Sequence, residues 1–197
     1  MSHQHVEIEV KIKVENLAAV EQKLKAAGAT LKAGRVYERN VRYEDAGETF
    51  TPAARVLRLR QDTQVHLTYK EPHDPVGGGW ARTELEVTVS DFETTDLLLQ
   101  KLGFHAAWIY EKYRTTYALE NCEVVLDEMP FGPFIEVEGQ PDAIQRALLA
   151  LGLTDAPRIT ASYSDLFFQL KARLGLPFRD LTFESFRDIT IPGGFGE

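Results

Sequence analysis

The sequence holds a single cysteine, Cys122, among 197 residues, so no internal disulfide forms and the fold must rest on its core. Such usage fits a reducing compartment, and a cytoplasmic location is expected. Cys122 itself is expected to be a buried or half-buried thiol, not a nucleophile. No apolar run approaches the ~20 residues needed to cross a bilayer. Met1, Ser2, His3, Gln4 and His5 run into the first strand pattern without the apolar stretch of a signal peptide. Positive charge is also in deficit, with 22 Lys and Arg against 30 Asp and Glu and a net charge of −8. That balance argues against nucleic acid as a partner, although it leaves room for a local basic pocket around a small anion. A phosphate loop of the Gly-x-x-x-x-Gly-Lys type is missing, because Gly77-Gly78-Gly79 leads into Trp80 and not into a lysine. The histidines show no metal-ligand spacing. His66 shares a face with Lys70 and reads as a satisfied barrel histidine.

What the chain has in quantity is alternation. Val6-Glu7-Ile8-Glu9-Val10-Lys11-Ile12-Lys13-Val14 puts Glu7, Glu9, Lys11 and Lys13 on one face of a strand and aliphatic residues on the other. The pattern returns as Arg58/Arg60, Glu84/Glu86, Lys112/Arg114 and Glu136/Glu138. Strands are expected near 4–14, 35–44, 54–62, 64–71, 81–90, 105–118, 122–128 and 133–139. Helices are expected over 16–27, 92–102, 141–151 and 163–174, with Asn16, Asp91 and Ser162 as N-caps and Asp165 completing a capping box. Residues 71–79 read as a flexible hairpin loop beside the site. Residues 175–197, rich in Pro, Gly and Phe, read as a tail that packs outside the sheet or against a second copy.

Many strands with few helices predict an α+β fold: a closed, antiparallel, eight-stranded barrel that hides its edges. The outer helices need an apolar surface, which Ile8, Val10, Ile12, Leu57, Leu59, Leu85, Val87, Val89, Ile135 and Val137 supply. The charged stripes are then left facing the lumen, and the barrel becomes a polar tunnel. Same-face residues on a strand lie ~6.5–7 Å apart, near enough for carboxylates to converge on one hard cation. The acidic candidates are Glu7, Glu9, Asp127, Glu136 and Glu138, and oxygen donors select Mg²⁺ or Mn²⁺. The basic candidates are Lys11, Lys13, Arg58, Arg60, Lys70, Arg82, Lys112 and Arg114, suited to phosphate oxygens.

These blocks resemble the CYTH superfamily, the triphosphate tunnel metalloenzymes. The likeness starts at Glu7-x-Glu9-x-Lys11. It continues in order through Leu57-Arg58-Leu59-Arg60, Leu67-Thr68-Tyr69-Lys70, Arg82-Thr83-Glu84-Leu85-Glu86, Lys112-Tyr113-Arg114, Val125-Leu126-Asp127 and Phe134-Ile135-Glu136-Val137-Glu138. The resemblance implies one tunnel domain over 1–174, with 175–197 as a tail and no second domain. It also implies metal held by Glu7, Glu9, Asp127, Glu136 and Glu138. Substrate phosphates would bind Lys11, Arg58, Arg60, Lys70, Lys112 and Arg114, with Lys70, Lys112 and Arg114 closest to the chemistry. Lys13, Arg82, Glu84 and Glu86 would support them.

Leu67-Thr68-Tyr69-Lys70 and Ser162-Tyr163-Ser164-Asp165-Leu166 are similar to the class IV adenylyl cyclase branch, although Glu71 stands where that branch often has glycine. The leading expectation is therefore ATP conversion to cyclic AMP and pyrophosphate with Mg²⁺ or Mn²⁺. The alternatives are a triphosphate hydrolase, acting on tripolyphosphate, thiamine triphosphate or a nucleotide, and a non-catalytic phosphate sensor. The expected partner is a small triphosphate, with no membrane or nucleic acid, and the aromatic tail invites a homodimer.

Overall fold

The computed structural model describes residues 5–73 and 80–191, with the side chains of residues 5–7, 80 and 81 outside that description. The strands are β1 His5–Lys13, β2 Thr30–Glu44, β3 Val56–Gln61, β4 Val65–Pro72, β5 Trp80–Val89, β6 His105–Leu119, β7 Cys122–Met129 and β8 Gly132–Glu138. The helices are α1 Leu17–Ala26, α2 Phe92–Lys101, α3 Pro141–Ala150 and α4 Tyr163–Leu174. The strands close into a barrel in the order β1-β5-β4-β3-β2-β6-β7-β8. Every neighbouring pair is antiparallel, and closure comes from β1, which pairs with β5 on one edge and β8 on the other. Among the described residues no helix is long and apolar enough to cross a membrane.

Local chemistry sets the helix boundaries. Asn16 Oδ1 accepts from the amides of Ala18 and Ala19 at the start of α1, and Asp91 Oδ1 accepts from Thr94 N at the start of α2. Ser162 and Asp165 form the reciprocal capping box that opens α4, which ends at Gly175 in the left-handed region with φ 65°. β2 starts at Thr30, five residues before its expected start, because it runs along the equally long β6 from Thr30↔Ala118 to Glu44↔His105.

One face of each strand packs outward as expected. Ile8, Val10, Ile12, Ile135 and Val137 are buried beneath α1 and α3, and Leu57 and Leu59 pack with Phe92 and Leu99 of α2. Two expected positions depart from this: Leu85 and Val87 are 46% and 57% exposed. Their parity is right, but among the described residues no helix covers that stretch of β5.

A third cluster joins α4 and the tail to the barrel. Leu176, Leu181 and Phe186 are buried with Trp108, Tyr110, Phe131, Phe134 and Phe167. Here β6 extends beyond β7, whose pairing begins only at Tyr113↔Glu128. The tail satisfies the open edge: Leu181 N donates to Ile109 O and Glu111 N donates to Leu181 O, both at 2.9 Å. The expected loop over 71–79 falls mostly outside the described residues.

Candidate active site in the barrel lumen

The lumen holds a cavity of about 300 Å³. Its lining is asymmetric. β2, β3 and β4 contribute only cations as charged groups (Arg42, Arg58, Arg60, Lys70), and β6 adds Lys112 and Arg114 beside Trp108 and Tyr110. β7 and β8 contribute only acids: Glu123, Glu136 and Glu138. β1 supplies Glu9 and Lys11, and β5 supplies Arg82, Glu84 and Glu86, so both signs meet at the boundary strands. A cationic arc thus faces an acidic one across the tunnel.

Ion pairs already organise both arcs. Asp127 is 0% exposed. Its Oδ1 accepts from Arg114 Nε at 2.7 Å, and its Oδ2 accepts from Arg114 at 2.6 Å, Lys112 at 3.2 Å and the Tyr163 hydroxyl at 2.9 Å. Burial alone would raise this carboxyl, but Arg114 and Lys112 outweigh it and hold Asp127 well below the ordinary carboxylate range. Arg114 also donates to Glu136 at 2.6 Å, and Lys11 Nζ lies 3.3 Å from Glu136 and 3.4 Å from Glu9. The same contest favours charge at Lys11. Burial lowers its pKa, yet Glu136 and Glu9 together hold the ammonium above its usual value.

On the opposite wall Glu86 is a hub. It accepts from Thr68 at 2.7 Å and sits 3.6 Å from Arg58, 3.5 Å from Arg60 and 3.2 Å from His66 Nδ1. Glu84 pairs with Lys70 at 3.1 Å. Glu84 therefore pairs with Lys70, and Glu86 with Arg58 and Arg60. His66 sits between two carboxylates, with Nδ1 3.2 Å from Glu86 and Nε2 3.9 Å from Asp62.

Of the residues expected in the site, Glu9, Lys11, Arg58, Arg60, Lys70, Arg82, Glu84, Glu86, Lys112, Arg114, Glu136 and Glu138 converge on the cavity. The Glu7 side chain lies outside the described residues. Among the described residues, Lys13 and Asp127 are not in the lining, and Asp127 spends its oxygens on Arg114, Lys112 and Tyr163. Sequence reading missed Glu123 and Tyr163. It also missed Arg42, although Glu38-x-Asn40-x-Arg42-x-Glu44 carries the same alternation as the other stripes. Ser162, expected as a cap, and Ser164 both line the cavity, and Ser164 Oγ accepts from Arg42 at 3.3 Å.

For a hard cation, the donors form a row. Glu9 is opposite Glu138 across β1 and β8, and Glu138 is opposite Glu123 across β8 and β7. Among the described residues no three His, Cys, Asp or Glu side chains come together as a group that could hold a metal ion. A Mg²⁺ ion here would need only one or two of these carboxylates, with water and substrate phosphates completing its octahedron.

Two outcomes follow from the ion pairs. Arg114→Met should destabilise the protein by about 3–5 kcal/mol, because it strands the Asp127 carboxylate without its bidentate partner. Urea titration monitored by circular dichroism measures this, and an unchanged midpoint would mean that the pair contributes nothing. Asp127, Glu136 and Glu38 are all held below their ordinary values despite burial, which alone would raise them. Depressed carboxylates contribute stability that is complete above the unfolded values of about 4 and lost as pH falls below them. Unfolding free energy should therefore be level from pH 7 to about 5 and decline below about pH 4, with a shallower decline in Asp127→Asn.

The sequence matches the CYTH domain profile over residues 5–151. The chain belongs to the CYTH domain family. It is 28% identical over 136 residues to a Methanocaldococcus jannaschii protein whose name provisionally assigns adenylate cyclase activity, covering 68% of this chain and 76% of that one. A Vibrio parahaemolyticus structure carrying a similar provisional name superposes with a TM-score of 0.74 at 17% identity, covering 84% of this chain and 99% of that one. A Hippeastrum structure, described as having a dominant triphosphatase activity, superposes with a TM-score of 0.61 at 18% identity over 83% of this chain and 95% of that one. At those identities the two structures speak to the fold alone.

Proposed function

We propose that this CYTH domain protein is a metal-dependent enzyme acting on a triphosphate, and that its leading reaction is conversion of ATP to cyclic AMP and pyrophosphate. The observation that carries the reading is the split lumen, with Arg58, Arg60, Lys70, Lys112 and Arg114 on one arc and Glu123, Glu136 and Glu138 on the other. A triphosphate needs the first arc and its counter-cation needs the second. Glu9, Glu138 and Glu123 would hold Mg²⁺ or Mn²⁺, with Glu136 and the Glu7 position beside them. Bound there, the cation supplies Lewis-acid stabilisation of phosphoryl charge and a lower pKa for an attacking hydroxyl.

The protein's own side chains do the rest. Guanidinium forks on Arg58 and Arg60 fix phosphate oxygens, while Glu86 keeps both forks aimed. Lys112 and Arg114, braced by Asp127, neutralise charge on the leaving phosphates, and Lys70 is braced in the same way by Glu84. In the cyclase the ribose 3′-hydroxyl attacks the α-phosphorus and the bond to the β-phosphate oxygen breaks.

Hydrolysis of the triphosphate is the second reading, and one observation favours it. Trp108, the large aromatic in the lining, is stacked on Phe167 with ring centroids 6.0 Å apart and packed against Tyr110 at 5.3 Å. Its faces are thus occupied before a nucleobase arrives. Purified protein with Mg²⁺ or Mn²⁺ should be given ATP, tripolyphosphate and thiamine triphosphate separately. Cyclic AMP with pyrophosphate supports the leading reaction and orthophosphate the second. No product from any of them would leave a phosphate-binding sensor.

A further inference from the structure

Most lumen cations already lean on a carboxylate. Lys11, Arg58, Arg60, Lys70, Lys112 and Arg114 each have one within ion-pair distance. Arg42 differs. Its hydrogen bond goes to the neutral Ser164 hydroxyl at 3.3 Å, its guanidinium carbon lies 5.9 Å from the Trp108 ring, and its Nε is shielded from solvent without a partner. Among the described residues no carboxylate comes within ion-pair distance of it. Its neighbour across β3 is another cation, since Arg42 is in register with Arg58. Burial pulls the Arg42 pKa below the usual guanidinium value; Arg58 and Arg82 add to this, and Tyr110 and Glu44 oppose it without reversing it. The surrounding wall is unsatisfied as well. Asn40, two residues back on β2 and 0% exposed, has neither amide atom hydrogen-bonded, and Arg58 Nε has no hydrogen bond; Glu38 Oε2 and Arg60 Nε lack one as well, although Lys112 lies 3.6 Å from the first and Asp62 2.9 Å from the second. Among the described residues, the one other buried side-chain atom in this state is Arg55 Nε.

Enclosing an unpaired guanidinium beside other cations weakens the free protein, because desolvation is not offset by an opposite charge. Buried polar groups without partners also demand an explanation, and their concentration on β2 and β3 points to something that fills this wall. We propose that Arg42, which lines the cavity, is a substrate-binding residue that takes a phosphoryl group of the triphosphate. This rests on the triphosphate reading above and adds β2 to the strands that hold the substrate. Ser164, in the first turn of α4, and the Trp108 ring aim the fork into the lumen without neutralising it. A phosphate group accepts two parallel hydrogen bonds from such a fork, a geometry that lysine cannot reproduce.

The test uses the full chain with Mg²⁺, inorganic tripolyphosphate and ATP, comparing wild type, Arg42→Gln and Arg42→Lys. Affinity is read by calorimetry at a temperature where all three are folded. Arg42→Gln should bind tripolyphosphate at least about tenfold more weakly, the scale of one charged hydrogen-bond pair, with Arg42→Lys between it and wild type. Without ligand, Arg42→Gln should melt at or above the wild-type temperature, because an uncompensated charge has gone. A purely structural strut would give the reverse, a lower melting temperature with unchanged affinity, and that would overturn the assignment. Wild-type binding with less than a tenfold loss in Arg42→Gln removes this contact alone. A wild-type protein that binds neither ligand sinks the triphosphate reading together with the contact.

Discussion

A chain stopped after Gly175 should lose most of its folding stability. The removed segment carries Leu181, 0% exposed, Phe186, 6% exposed, and Leu176, 8% exposed, all in the aromatic cluster over β6. Each such side chain contributes ~1.5–3 kcal/mol by burial alone. A domain of this kind has only about 5–15 kcal/mol in total. Truncation also strands backbone groups. Ile109 N, which donates to Asp180 Oδ1 at 2.9 Å, loses its acceptor, as does Glu111 N, while Ile109 O loses the Leu181 amide; the Glu111 carboxylate also loses the Phe183 amide at 2.9 Å. Urea unfolding of the two chains measures the difference, and equal midpoints would show that the tail is ornamental. Leu181→Ala in the full chain is the milder version, expected to cost ~2–5 kcal/mol as a core truncation.

Glu9→Gln is expected to cut metal-dependent turnover at least about 10²–10³-fold, the scale seen when one preorganised electrostatic group is removed from a site. The swap keeps shape and removes charge from the acidic arc. It should leave the fold intact, because Glu9 is 28% exposed and Lys11 keeps Glu136 at 3.3 Å. Turnover titrated with Mn²⁺, with a melting curve alongside, separates the two effects. Wild-type rates in the variant would remove Glu9 from the site.

Much of the lumen was legible because parity along a strand is local. A residue's face is fixed by its neighbours two positions away, so Glu9/Lys11, Arg58/Arg60, Lys112/Arg114 and Glu136/Glu138 were placed from sequence alone. What parity omits is register across strands. Nothing in Val125-Leu126-Asp127 says that Asp127 falls opposite Arg114 and spends its oxygens there. Coverage from outside is equally non-local. Leu85 and Val87 have the same alternation as Leu57 and Leu59, but only the latter pair lies under α2. The tail was legible as aromatic but not as the missing partner of the β6 edge, which depends on where β7 stops. Arg42 stands apart, since Glu38-x-Asn40-x-Arg42-x-Glu44 carries its alternation within the sequence itself.

The brace between Lys11, Arg114 and Glu136 implies a reciprocal exchange on loading. While the lumen is empty of ligand, Lys11, Arg58, Arg60, Lys70, Lys112 and Arg114 each serve as the counter-ion of a glutamate or aspartate. A polyphosphate that draws Lys11 or Arg114 toward itself loosens Glu136 and Glu9, raising the avidity of that side for a divalent cation. By linkage, the cation strengthens the hold on the polyanion by the same factor. On the proposed function, the two ligands would then be thermodynamic partners, each strengthening the hold on the other.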